Sequence, residues 1–96
     1  MFEKAKDMYK LQKQARKIKK ELKNTHIEAE HEGVTVTING EQEIIKIEIS
    51  DEALKNKKKL EDSLLKATNK AIKKSQQIGA EMMKDVMGDL NIPGMG

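Results

Sequence analysis

The sequence predicts an α+β fold: an N-terminal helix, a three-stranded antiparallel meander and a long C-terminal helix. Two observations predict it. Apolar residues recur every three or four positions over residues 3–23, every second position over 26–49, and every three or four positions again over 51–88. Charge changes sign near the same boundaries. Residues 1–23 carry nine Lys/Arg against three Asp/Glu (net +6), residues 24–54 one against eight (net −7), and residues 55–96 nine against five (net +4). Such sorting draws a polyanion toward one part of a molecule and repels it from another.

In the first helix, Met8, Leu11, Ala15, Ile18 and Leu22 follow steps of 3, 4, 3 and 4 and line one face. Lys, Gln, Ala and Leu dominate, and neither Gly nor Pro interrupts, so propensity agrees with pattern. Asn24-Thr25 can end the helix. In the strands, Ile27 and Ala29 alternate with Glu28 and Glu30. Val34, Val36 and Ile38 alternate with Thr35 and Thr37, and Ile45, Ile47 and Ile49 with Lys46 and Glu48. β-Branched residues at this spacing mean strands with one buried face. Ile44 breaks the alternation. A two-residue Asn39-Gly40 loop would set Val36 opposite Glu43. A four-residue loop, 39–42, sets Val36 opposite Ile45 and Val34 opposite Ile47, so apolar matching favours the longer loop.

In the last segment Ser50 can cap a short first turn and Asn56 a restarted helix. Leu60, Leu64, Ala67, Ala71, Ile78 and Met82 form one stripe, and Leu65, Ile72 and Met83 widen it beyond one partner's worth. Met82, Met83, Met87 and Met95 read as core or interface filling. Gly88 and Pro93 end the helix, and residues 91–96 are expected to be a flexible tail. A single domain over residues 1–90 is expected.

Only 36% of the residues are hydrophobic and 36% are charged. A single chain of this size has a thin core, and self-association would supply missing burial. The long helix's second stripe and the sheet are expected to share that interface. Without Cys, disulfides and thiolate metal sites are excluded within the chain. Met1-Phe2-Glu3-Lys4 lacks the apolar run of a signal peptide, and no stretch approaches the 18 or so apolar residues of a membrane span. A soluble cytoplasmic protein is the expectation.

The candidate functional surface is cationic. On the first helix Lys6, Lys10, Lys13, Lys17 and Lys20 repeat at steps of 4, 3, 4 and 3 opposite the apolar stripe, with Arg16 and Lys23 at the margin. The row spans roughly 21 Å at about 1.5 Å per residue. A duplex presents about one charge per 1.7 Å of axis, so this length faces several phosphates. A helix stabilised by its own ion pairs would interleave Glu at i+4 spacing, whereas here Lys follows Lys. A second row, Lys59, Lys66, Lys70, Lys73 and Lys84, flanks the apolar face of the long helix. Lys rows of this kind also serve simply as the solvated faces of amphipathic helices.

Of the nineteen cations only Arg16 is not Lys, so bidentate base recognition has little to work with. With two aromatics, Phe2 and Tyr9, stacking platforms for single strands are nearly absent. Duplex backbone is therefore the expected nucleic-acid target. Catalysis finds no foothold. His26 and His31, five apart, fall on opposite faces of one strand. Ser50, Ser63 and Ser75 have no nearby His, and no glycine-rich loop precedes Lys and Ser/Thr. No enzyme activity, cofactor, metal or small-molecule substrate is expected.

Three pieces are familiar together: Val34-Thr35-Val36-Thr37-Ile38-Asn39-Gly40, Ile44-Ile45-Lys46-Ile47-Glu48-Ile49, and residues 60–71 from Leu60-Glu61-Asp62 to Asn69-Lys70-Ala71. At these separations, with the Lys/Gln/Met-rich first helix and the Gly/Met/Pro tail, the chain resembles the YbaB/EbfC family. The resemblance covers essentially the whole chain. It implies a bacterial nucleoid-associated DNA-binding protein, a homodimer whose sheets join at the centre while the helices project as arms that grip duplex DNA. On that footing Lys6, Lys10, Lys13, Arg16, Lys17 and Lys20 are the expected primary contacts, and Lys66, Lys70 and Lys73 secondary ones. Two features depart from the family pattern. The glycine-rich stretch before the second strand shrinks to Glu32-Gly33, so the first hairpin should be tight. Lys57-Lys58-Lys59 is more basic than the acidic linker often found there. A protein-interaction adaptor and an RNA- or ribosome-associated factor remain alternatives at this point.

Overall fold

A computed structural model describes residues 2–89, with side chains over residues 8–85. Helix α1 spans Phe2–Asn24. Strands β1 (His26–His31), β2 (Val34–Asn39) and β3 (Ile44–Ile49) follow. A 3-10 turn over Ala53–Lys55 leads into helix α2, Lys57–Asp89. The strands form one antiparallel sheet in the order β1-β2-β3. The anticipated α+β architecture is therefore present. The tail, Met95 and the side chains of Lys6 and Met87 lie outside the described residues.

Local chemistry explains the boundaries. The Thr25 hydroxyl donates to the Glu21 carbonyl at 2.6 Å and the Thr25 N–H to the Leu22 carbonyl at 3.2 Å, closing α1. His31 pairs with Val34, so the β1–β2 loop is the two residues Glu32-Gly33. Both have positive φ, +41° and +86°. A type I′ turn requires this at both central positions, and glycine supplies it without strain at the second. The Ser50 Oγ accepts from the Ala53 N–H at 3.2 Å, and the Asn56 Oδ1 from the Lys59 N–H at 3.1 Å, so both expected caps form.

The β2–β3 register differs from the expected one. Val36 pairs with Ile47 and Val34 with Ile49, two residues beyond the predicted partners, and a bulge at Ile44–Ile45 follows Thr37–Lys46. Asn39 is the cause. Its Oδ1 accepts from the N–H groups of Glu41 and Glu43 at 2.9 and 3.0 Å, and its own N–H donates to the Glu43 carbonyl at 3.0 Å. The side chain thus closes a five-residue loop, with Gln42 at φ +64°. The doubled isoleucine that broke the alternation is the bulge.

The core lies between α2 and the first two strands. Ile27, Ala29, Val34, Val36 and Ile38 meet Ala67 and Ala71, and Leu60, Leu64, Ile72 and Ile78 pack at its margin. Ser63, Ala67, Ala71 and Ser75 are all buried and four apart. This stripe of small residues lets the helix backbone lie close on the sheet, and its two serines fall outside the apolar period that marks the helix's buried face.

Two apolar surfaces stay uncovered within the single chain. Helix α2 crosses β1 and β2 and leaves β3 beyond its reach. All six β3 residues are exposed, including Ile44, Ile45, Ile47 and Ile49 at 38–47%. The α1 stripe is covered only near its C-terminus. Ile18 is 6% exposed, whereas Met8 and Leu11 are 63% and 46% exposed. The first helix projects from the body, as the family resemblance implies for the helices. The radius of gyration is accordingly 18.5 Å, with extents of 65 × 23 × 15 Å, against about 12.5 Å for a compact chain of this length.

Candidate nucleic-acid interface

Helix α1 enters the body where the sheet ends. The Leu22 carbonyl accepts from the Gly40 N–H at 2.7 Å as well as from Thr25. Helix α2 runs past the same end of the sheet. The Ser75 hydroxyl donates to the Asn39 carbonyl at 2.7 Å, in a buried position. Beyond this junction α1 and the last turns of α2 extend from one end of the sheet. An open groove between them is lined by Lys17, Lys20, Glu21, Asn24, Thr25 and Met82.

Lys10, Lys13, Arg16, Lys17 and Lys20 are all exposed on the projecting helix. Among the described residues the ion pairs are Lys46–Glu48, Lys55–Glu52 and Lys66–Asp62, with the His31 ring 4.0 Å from Glu32, and none engages these five cations. Among the described residues, therefore, the basic face from Lys10 to Lys20 is exposed and carries no ion pair. Lys6 continues the row by spacing.

The second row divides. Lys66 pairs with Asp62 at 3.0 Å. Lys70 reaches the Glu30 carbonyl at 3.5 Å, and Lys74 the Glu28 carbonyl at 3.1 Å. Both ammonium groups sit against the outer edge of β1, where unpaired carbonyls would otherwise invite another strand. Lys74 was absent from the sequence-derived row. Its role depends on how α2 lies along β1, which a helical period does not report. Lys59, Lys73 and Lys84 are exposed.

The opposite charge is also grouped. Glu28 and Thr37, and Glu30 and Thr35, stand opposite each other, and Lys46 and Glu48 continue these rows on β3. Glu28, Glu30 and Glu48 are exposed on the sheet face away from α2. A polyanion approaching the molecule thus meets an attractive arm and a repellent sheet. His26 and His31 do not converge. Among the described residues no group of three His, Cys, Asp or Glu is placed to hold a metal, and no helix is long and apolar enough to cross a membrane.

A family model described as the YbaB/EbfC DNA-binding family matches residues 1–90. A nucleoid-associated protein of Clostridium kluyveri is 36% identical over 100 residues, spanning 93% of this chain and 88% of the relative. Another, of Pelotomaculum thermopropionicum, is 37% identical over 94 residues, spanning 94% and 90%. The solved structure of an uncharacterised Helicobacter pylori protein superimposes with a TM-score of 0.79 at 19% identity, covering 86% of this chain and 91% of that one. That likeness speaks to the fold.

Proposed function

The chain belongs to the YbaB/EbfC DNA-binding family, and from that premise we propose that it is a non-enzymatic, nucleoid-associated protein of the cytoplasm that grips duplex DNA by its phosphates with little sequence preference. The observation that carries this reading is the exposed cationic face of α1, Lys10 to Lys20, which carries no ion pair among the described residues. Lys6, Lys10, Lys13, Arg16, Lys17 and Lys20 are its primary contacts. Lys is a mobile point charge, suited to phosphate and poor at distinguishing bases. Lys66, Lys70 and Lys73 contribute secondarily. The exposed Lys66–Asp62 pair is worth little in water and yields readily to a phosphate.

The functional unit is a homodimer. The two sheet edges differ: lysines shield β1, whereas β3 presents four exposed isoleucines. On the flank of α2 away from Lys70 and Lys74, Leu65 is 62% exposed. A second copy related by a two-fold axis covers both features with the same patch from each subunit. This arrangement sets the acidic platforms at the centre and the basic arms outside.

The test is a titration of several unrelated duplexes at increasing salt, with the mass measured alongside. The expected result is binding to every duplex, with log K falling linearly in log[salt]. Binding that ignores salt between 50 and 200 mM, or that singles out one sequence, contradicts the mechanism.

A further inference from the structure

The arm meets the body through a narrow junction, and its chemistry is unusual. Three elements converge there: the C-terminal turn of α1 at Leu22, the loop residues Asn39 and Gly40, and α2 at Ser75 and Gly79. The Gly40 N–H donates to the Leu22 carbonyl. A Cβ at Gly40 would lie 2.8 Å from that carbonyl oxygen and 3.0 Å from the Leu22 Cα. These are backbone atoms and cannot swing aside, so any side chain at residue 40 must push α1 off the body. On the other side, Ser75 holds the Asn39 carbonyl at 2.7 Å and Asn39 organises the loop through its own Oδ1. Gly79 is the contrast. A Cβ there would be 3.7 Å from the Gly40 carbonyl oxygen, an ordinary contact.

We infer that Gly40 and Ser75 form the joint that sets the angle at which α1 leaves the body, and so are positioning residues for the duplex-binding arm. The inference rests on the proposed duplex reading for its consequence, though not for its geometry. The lysines lie beyond the joint, from Lys20 outward to Lys6, so an angular change is amplified along the helix. A tilt of 20° about Leu22 moves the tip of the helix, about 30 Å away, by roughly 10 Å. Such a displacement spans several phosphates of a duplex, which carries about one charge per 1.7 Å of axis. A displaced arm keeps every lysine and yet loses contacts.

The experiment compares the full chain with Gly40→Ala, Ser75→Ala and Gly79→Ala, using small-angle scattering and the salt dependence of binding to a random-sequence duplex. Gly40→Ala is expected to alter the longest dimension in solution. It should also flatten the slope of log K against log[salt] by at least about 0.9, one phosphate's worth. Gly79→Ala should match the parent in both. A variant that merely lowered the folded fraction would bind more weakly at every salt concentration and keep the parent slope. If circular dichroism shows that Gly40→Ala does not fold, Ser75→Ala decides by the same two measurements. A scattering curve and slope identical to the parent in the folded joint variants overturn the inference even if the parent binds DNA well. A parent that binds no duplex, with Gly40→Ala still changing shape, leaves the joint standing and removes the duplex reading.

Discussion

Replacing Lys10, Lys13 and Lys17 together by Gln isolates the electrostatic role of α1. All three are exposed and none belongs to an ion pair among the described residues. Gln is close to Lys in helix propensity, so the fold should be untouched. The six primary cations proposed for one arm, Lys6, Lys10, Lys13, Arg16, Lys17 and Lys20, can each neutralise one phosphate. At about −0.9 per phosphate the slope of log K against log[salt] is about −5.4 per arm. Raising salt fourfold, from 50 to 200 mM, then weakens binding by roughly 1,800-fold. The triple variant keeps three of these cations, so its slope is about −2.7 and the same change of salt weakens it only about 40-fold. A second arm engaging the same duplex doubles both slopes and preserves their ratio. Fluorescence anisotropy on two unrelated duplexes, at five salt concentrations, reads the slopes directly. An unchanged slope in the triple variant would refute the assignment of phosphate contacts to α1. A loss confined to one duplex would point to base readout instead.

Other changes probe the fold and the assembly. Ile47→Asp with Ile49→Asp places charge on the uncovered face of β3, and light scattering should then report 10.9 kDa where the parent reports twice that; a dimeric double variant excludes this face. Glu32→Asn puts a residue that tolerates the left-handed region where φ is +41°, and should add about 0.5–1 kcal/mol of stability, raising Tm by several degrees. No gain in Tm would mean that Glu32 is unstrained. Ala71→Leu overfills the space where α2 lies on the sheet and should lower stability by about 1–3 kcal/mol in denaturant titration, whereas the same change at exposed Ala80 should be nearly neutral.

The elements were legible because periodicity is a local property. The apolar steps in residues 3–23 and 60–82 and the alternation in 26–49 each report a helix or strand whatever surrounds it. The Glu32-Gly33 turn and the Asn56 cap were legible for the same reason. The register of β3 was not. Apolar matching allows pairings that differ by two residues, since both keep the same face inward, and the choice fell to the Asn39 side chain closing a five-residue loop. The isoleucines of β3 show a different limit. Alternation reports that a face is apolar, not which chain covers it. The candidate site was legible in the periodicity as a row of lysines, whereas its projection from the body came only from the family resemblance. Nothing in the spacing of Met8, Leu11 and Ala15 distinguishes a stripe laid on a sheet from one held in water. Lys74 and Ser75 carry no local signal, because their partners are backbone carbonyls 46 and 36 residues away.

The projecting arm carries an internal conflict that a bound duplex would resolve. Lys10–Lys13, Lys13–Lys17, Lys13–Arg16, Arg16–Lys20 and Lys17–Lys20 are like-charge pairs three or four residues apart. At about 0.2–0.5 kcal/mol each, they oppose the helix by roughly 1–2.5 kcal/mol at low salt. Packing offsets little of this before Ile18, because Met8, Leu11 and Ala15 are exposed. Isolated helices of about 12–15 residues are marginal in water even without such repulsion. Phosphates placed along the row replace repulsion by attraction, so binding and helix stability should rise together. Far-UV circular dichroism of the parent in dilute buffer should therefore show a gain in the helical signal at 222 nm when excess duplex is added. Salt alone, by screening the lysines, should produce part of the same gain without DNA. The Lys10, Lys13 and Lys17 to Gln variant should begin at higher helicity and gain less. If helicity is unmoved by both duplex and salt, repulsion along α1 does not limit the arm, and the coupling between arm order and phosphate contact is refuted.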